Sequence, residues 1–350
     1  MRFTTYHSMN EVMGHPGIRR HLPTFFSGDL LGMFPPELAD EPLGVAEHYG
    51  RTPWGIPFFE VVEQFLEAAN LIADLTENGT RRSVPLWEKD VAPTWEPRMH
   101  GEGDPIDSFL VAPLPHATPS GERRPAVIVC PGGAYREVCC SGEGTPVLRM
   151  MEACGYVAFI LFYQVSAPAY PQAQTDLAQA VRLVRAHADD YGIDPDDIMT
   201  MGFSAGGHLC ASEAAAVGTF AGMADEQYPD LAGVSARPDK VCLGYPVISL
   251  CQHQHEESAL SLIGNDESLR GPLSVEHMVG RDFPPTYLWT CADDSCVPPE
   301  NSTLMDEALE AAGINHLFHL YPEGEHGCGL AFGKSAHGWS REMLSFMRNA

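Results

Sequence analysis

From Pro125 to the C-terminus, short apolar runs alternate with segments of helical spacing, and that order leaves few architectures open. "PAVIVC" (125–130) ends at Pro-Gly-Gly, and "YVAFILFY" (156–163) is apolar throughout, as a strand covered on both faces must be. Between them "GTPVLRMMEACG" has helical spacing and stops at Gly155. In "QTDLAQAVRLVRAHADDYG", Leu177, Val181, Val184 and Ala188 share one helical face, and Gly192 can close the end. "DIMTMGF", "KVCLGYPV", "PTYLWTCA" and "HLFHLYPEG" read as further strands; "AGGHLCASEAAAV", "NSTLMDEALEAAG" and "SREMLSFMRN" read as helices. A loop-rich insertion with Pro246, Pro272 and Glu256–Glu257 precedes "PTYLWTCA". The alternation predicts an α/β fold, a mostly parallel central sheet with helices on both faces.

Residues 1 to about 85 break this rhythm with many Pro and Gly. They hold one clear helix, "PFFEVVEQFLEAANLIADL", with Phe59, Val62, Phe65 or Leu66, and Ala69 at helical spacing. The expected division is an N-terminal helical appendage, 1–85, and an α/β domain, 86–350. The appendage is expected to pack on the core or on a second subunit, which would make the protein a homo-oligomer.

A formal net charge of −26 would repel phosphate backbones and anionic headgroups, so neither nucleic acid nor membrane is an expected partner. The tight basic pairs, Arg19-Arg20, Arg81-Arg82 and Arg123-Arg124, read as solvated loop pairs. The first residues lack the apolar stretch of a signal peptide, and "YVAFILFY" is too short to span a bilayer. The 10 cysteines are scattered, several within apolar runs, which suits thiols in a reducing, cytoplasmic setting. There is no C-x-x-C pair and no H-E-x-x-H; His253 and His255 in "CQHQHEE" read as a polar loop, so no metal is expected.

"GFSAGGH" (202–208) stands between a strand and a small-residue helix and matches G-x-S-x-G. A strand-to-helix turn this sharp needs small residues on both sides of the serine, and it places the hydroxyl at a helix N-terminus. Ser204 needs a base to take its proton, and the base needs an acid, in the order Ser, Asp, His. "TCADDSCVPPENS" ends a strand with Asp293 and Asp294, and "YPEGEHGCG" ends the next with His326. Asp294, three residues before Val297, is the expected acid, and Asp293 a loop or capping residue. "CPGGAY" (130–135) follows the first core strand, so the amides of Gly133 and Ala134, with that of Ala205, are the candidate oxyanion hole.

Those stretches, with "GYVAFILFYQVSAPAYPQAQTDLAQAVRLVR" and the upstream "VPLWEKDVAPTW", resemble the α/β-hydrolase branch that includes acetyl-xylan-esterase-like and feruloyl-esterase-like carbohydrate esterases. The resemblance runs from about Val84 to the C-terminus. It implies a serine esterase with Ser204 as nucleophile and Asp294 and His326 as partners. It further implies small acyl esters, such as acetyl, on a carbohydrate, with no cofactor. Pro131 and Ala134 depart from the lipase-type motif, which carries histidine and a third glycine there. An amidase or peptidase would use the same residues, and a non-catalytic binding protein could share the scaffold.

Neighbouring residues have simpler roles. His208 is expected to be a buried hydrogen-bonding histidine; Glu143 in "SGEGT" could brace the active-site loop, with a helix-start carboxylate the simpler account; Trp54, Trp87 and Trp95 could stack on a sugar ring but are expected to pack. Cys210 and Cys328 flank the site, yet the elbow position belongs to Ser204.

Overall fold

The computed structural model describes residues 2–25, 34–52, 57–77, 79–89, 107–115, 121, 123–165 and 167–350. Eight strands form one sheet: β1 (Arg81–Pro85), β2 (Phe109–Pro113), β3 (Arg124–Cys130), β4 (Val157–Phe162), β5 (Ile193–Phe203), β6 (Lys240–Gly244), β7 (Thr286–Cys291) and β8 (His316–Tyr321). Their spatial order is β1-β2-β4-β3-β5-β6-β7-β8. From β4 across to β8 every pair is parallel, while β2 is antiparallel to both β1 and β4. All six residues of β4 and of β7 are buried. Because successive strand side chains face opposite ways, this means the central sheet is covered on both faces.

The helices used below are α1 (Met9–Gly14), α2 (Pro16–Phe25), α3 (Phe58–Thr76), α4 (Thr145–Ala153), α5 (Gln172–Ala186), α6 (Ala205–Ala215), α7 (Val217–Gln227), α8 (Glu256–Ile263), α9 (Glu300–Ala312) and α10 (Trp339–Met347). Leu177, Val181, Val184 and Ala188 are buried together as their spacing predicts. Gly192, in the left-handed region, caps the short turn after α5.

The sheet begins before residue 86, because β1 pairs with β2 over Arg81 to Pro85. Arg81 and Arg82 therefore form an edge strand rather than a solvated loop. Arg81 reaches Glu152 with its side chain 8% exposed, and Arg82 donates to Tyr191 Oη. α3 buries Phe58, Val61, Val62, Phe65 and Leu66, whereas Phe59 is 46% exposed, so the apolar stripe is rotated from its expected position. This helix packs on β1, on α4 and on the turn Cys140–Gly144. One continuous hydrophobic core joins Phe3 and Val12 to Trp339 and Met347.

Candidate active site

The elbow is set by backbone crowding. Ser204 has φ 52° and ψ −121°, a conformation that side chains rarely adopt, and its N–H donates to Gly244 O at 3.0 Å. A Cβ on Gly202 would lie 2.1 Å from Gly206 O, and one on Gly206 would lie 2.1 Å from Cys130 O. Only glycine fits either place, which is why the small residues stand two before and two after the serine.

His326 Nε2 lies 2.9 Å from Ser204 Oγ, and His326 Nδ1 lies 2.8 Å from Asp294 Oδ2. A proton on Nδ1 directed at the carboxylate leaves the Nε2 lone pair to accept from the serine hydroxyl. The Asp294 side chain is fully buried, and its Oδ1 accepts from the N–H groups of Cys296 and Val297 at 3.0 and 2.9 Å. Asp293 turns elsewhere: its Oδ1 accepts from the amides of Gly324 and Glu325 at 2.9 Å, a capping arrangement at the base of the histidine loop.

Three consecutive carbonyls of the glycine-rich loop are engaged on the protein side. Pro131 O accepts from Tyr163 Oη at 2.7 Å, Gly132 O from Cys139 N–H at 3.0 Å, and Gly133 O from Arg136 N–H at 2.9 Å. In a trans peptide the N–H points away from the carbonyl, so these bonds turn the N–H groups of Gly133 and Ala134 the other way. Gly133 at φ 122° and Ala134 at φ 53° complete the turn, and both residues line the cavity beside Ser204. Ser204 O likewise accepts from Gly207 N–H at 3.0 Å and Val247 N–H at 3.0 Å, which directs the Ala205 N–H away from them.

The cavity holds about 340 Å³. Its wall carries Ser204 and His326, and its rim carries Arg136, Glu137, His255 and Glu257. Arg136 from the glycine-rich loop and Glu257 from α8 form an ion pair there.

Glu143 is not a simple helix-start carboxylate. It is 4% exposed, within a π-helical turn, Cys140–Gly144. One oxygen, Oε2, accepts from Gly132 N–H at 2.6 Å, and the other, Oε1, from Tyr245 Oη at 2.8 Å. Desolvation raises its pKa, while those two donors and His326 oppose the rise. Tyr245 Oη in turn accepts from Gly329 N–H at 2.9 Å, and the Tyr245 ring lies 5.0 Å from that of His326. The only sequence hint of Glu143 is a carboxylate between two glycines; Tyr245 gave none beyond its place at a strand end.

His208 is fully buried, as expected, with Nδ1 2.9 Å from Tyr135 Oη and Nε2 2.9 Å from Leu273 O. Its Nε2 must donate to the carbonyl, so Nδ1 accepts from the tyrosine and the ring is neutral. Burial lowers its pKa to about 4. Trp87 Nε1 donates to buried Asp176 at 2.8 Å, whereas Trp54 and Trp95 lie outside the described residues. Among the described residues, no group of three or more His, Cys, Asp and Glu side chains could hold a metal ion; His255 Nε2 meets Cys296 Sγ at 3.5 Å. No helix among them is long and apolar enough to cross a membrane. All ten cysteines are free, the vicinal pair included.

The BD-FAE family profile matches residues 114–309, more than half of the chain. Endo-1,4-beta-xylanase B of Butyrivibrio fibrisolvens is 37% identical over 225 residues, which span 62% of this chain and 34% of that protein. An acetylxylan esterase of Xylanibacter ruminicola is 30% identical over 228 residues, covering 63% of this chain and 44% of the other. The chain thus spans less than half the length of these two curated relatives. Among solved structures, an acetyl ester-xyloside bifunctional hydrolase from Caldicellulosiruptor lactoaceticus aligns with TM-score 0.63 and 34% identity, over 76% of this chain and 95% of that one. Sheet order, elbow geometry and family match agree: the chain belongs to the BD-FAE family and has the α/β-hydrolase fold.

Proposed function

We propose that the protein is a serine carboxylic ester hydrolase that works through Ser204, His326 and Asp294. The observation that carries this reading is the pair of contacts at His326, 2.9 Å to the serine hydroxyl and 2.8 Å to a buried carboxylate. His326 Nε2 takes the Ser204 proton as Oγ attacks the ester carbonyl carbon. The oxyanion that forms is held by the N–H groups of Gly133, Ala134 and Ala205, each contributing about 3–4 kcal/mol to the transition state. Collapse breaks the bond to the alcohol oxygen, which leaves with the proton from His326. Water, deprotonated by the same imidazole, then cleaves the acyl-enzyme and restores the serine.

The acyl group is small, most simply acetyl, and the alcohol is a carbohydrate. Supporting this are the acetyl-ester and xylan activities named for the relatives, a cavity of about 340 Å³ and its polar rim. Ten free thiols fit a reducing cytoplasm. An amidase or peptidase would use the same side chains, and a binding protein on this scaffold would not turn over at all.

The test combines fluorophosphonate labelling with a panel of p-nitrophenyl acetate, aminoacyl anilides and acetylated xylo-oligosaccharides. Labelling at Ser204 and turnover of the acetyl esters are expected. Turnover of the anilides alone would overturn the esterase reading, and folded protein that takes no label would overturn catalysis at this site.

A further inference from the structure

We propose that Glu143 is a positioning residue that holds the oxyanion loop and the histidine loop in register through a single carboxylate, thereby setting turnover without contacting the reacting atoms. The role rests on the ester-hydrolase reading above and assigns a residue beyond the three that transfer the proton.

The geometry is a relay of donors onto one group. Gly132 N–H donates to Oε2, Tyr245 Oη donates to Oε1, and Gly329 N–H donates to Tyr245 Oη. Gly132 immediately precedes the two proposed loop donors, and Gly329 stands three residues after His326. Each end is pinned a second time: Tyr163 Oη holds Pro131 O at 2.7 Å, and Trp339 Nε1 holds Gly329 O at 3.0 Å. The chain therefore has Glu143 as its middle link, between two loops that leave different strands, β3 and β8.

Three features argue that the link is more than packing. A buried carboxylate whose recorded partners among the described residues are an amide, a phenol and a histidine, with no Lys or Arg, is a costly way to fill space, since an apolar side chain would avoid desolvation. The turn that carries it, Cys140–Gly144, is π-helical, a geometry common at functional sites because it costs hydrogen-bond quality. Tyr245, its second partner, sits at φ 35°, a strained conformation for a non-glycine residue that persists only where its surroundings over-determine it.

Without the carboxylate, Gly132 N–H loses its anchor at a Gly-Gly step, where the backbone has most freedom. The next two N–H groups then lose their aim at the oxyanion. Substrate binding depends far less on that aim, because charge develops on the oxygen only in the transition state.

The test measures p-nitrophenyl acetate kinetics, fluorophosphonate labelling rates and thermal melts for wild type, E143A, E143Q, Y245F and the E143A/Y245F double variant. E143A is expected to lower kcat about 10²–10³-fold, with KM within about threefold and labelling slowed in parallel. E143Q, which keeps an acceptor for Gly132 N–H, is expected to recover at least about tenfold of that loss. Y245F is expected to lower kcat about tenfold, and the double variant to be no slower than E143A, because the two act as one unit. If E143A does not fold, E143Q and Y245F carry the comparison, with kcat taken per folded molecule. Losses that multiply, a change confined to KM, or kcat equal to wild type in the folded variants would overturn the role. Wild-type protein that neither turns over nor takes the label would overturn the ester-hydrolase reading itself.

Discussion

Asp293 and Asp294 are adjacent in the chain and grip the same loop by different groups. Asp294 Oδ2 meets the His326 ring at 2.8 Å, while Asp293 Oδ1 holds the backbone of Gly324 and Glu325 at 2.9 Å. One orients an imidazole and the other fixes the segment that delivers it. Exchanging each for asparagine should separate the two roles. D294N is expected to lower kcat by roughly 10⁴-fold with little change in KM, because the imidazole loses the tautomer it needs. D293N weakens two charge-assisted bonds and is expected to destabilise the protein by about 1–3 kcal/mol while costing far less kcat. Steady-state kinetics and urea melts on both variants check this.

Ser204→Ala should leave the fold intact and remove the proposed nucleophile. A fall in kcat of roughly 10⁴–10⁶-fold is expected, and His326→Ala in the same background should cost little more, since the residues act together. Acetate release measured on the single and double variants reads the non-additivity.

Gly132 leaves no room for a methyl group. An added Cβ would lie 2.8 Å from Ser204 Cβ and 2.9 Å from both Glu143 Oε2 and Phe203 O. G132A is therefore expected to lower kcat about 10²-fold or more, since the loop must shift by several tenths of an ångström beside the proposed nucleophile. A crystal structure of the variant should show that shift, with near-native melting if the loop absorbs it.

Two buried groups contribute to acid stability with opposite signs. The His208 pKa is lowered by burial from 6.5 to about 4, so between those values only the unfolded chain takes the proton. Stability is lost as pH falls through that window, by up to about 3 kcal/mol. The Asp176 pKa is raised by burial from 3.8 to about 6, so there the folded chain keeps a proton that the unfolded chain releases, and stability is lost as pH rises through that range. The two should largely offset each other between pH 4 and 6. Urea midpoints across this range are expected to fall more steeply on acidification in D176N and less steeply in H208Q.

Arg136 and Glu257 pair at the cavity rim, each side chain about half exposed: 48% and 46%. Such a pair contributes at most about 1 kcal/mol to stability. E257Q should melt like the wild type. If bulky alcohols must part this pair to enter, KM for acetylated oligosaccharides should fall roughly threefold, the equivalent of about 0.7 kcal/mol, while KM for p-nitrophenyl acetate stays unchanged.

The parallel part of the sheet was legible because β4 is apolar along its whole length and β7 is rich in aromatic and β-branched residues, a pattern few loops or surface helices share. β1 was not, because "RRSVP" is polar and sits at an edge; the burial of Arg81 depends on Glu152, 71 positions away. β2, "FLVAP", is a short apolar run without alternation, flanked by Pro and Gly, and such a run does not by itself tell strand from buried helix or loop. Of the site, Ser204, Asp294 and His326 could be ordered by their positions after strands, and the structure brings them within hydrogen-bond distance. For Glu143 the sequence offers two readings, a brace for the active-site loop and a helix-start carboxylate, with nothing to favour the first, and Tyr245 has no signal. They stand 102 positions apart, and neither period nor motif marks a contact created only when two loops meet.

α3 packs on the turn Cys140–Gly144, which carries Glu143, and so touches the proposed link between the two loops from outside the cavity. Substitutions at Gln64 or Phe65, distant in sequence from any reacting group, should then register in rate as well as in melting temperature. A search for faster variants has reason to sample this outer helix as well as the residues that line the cavity.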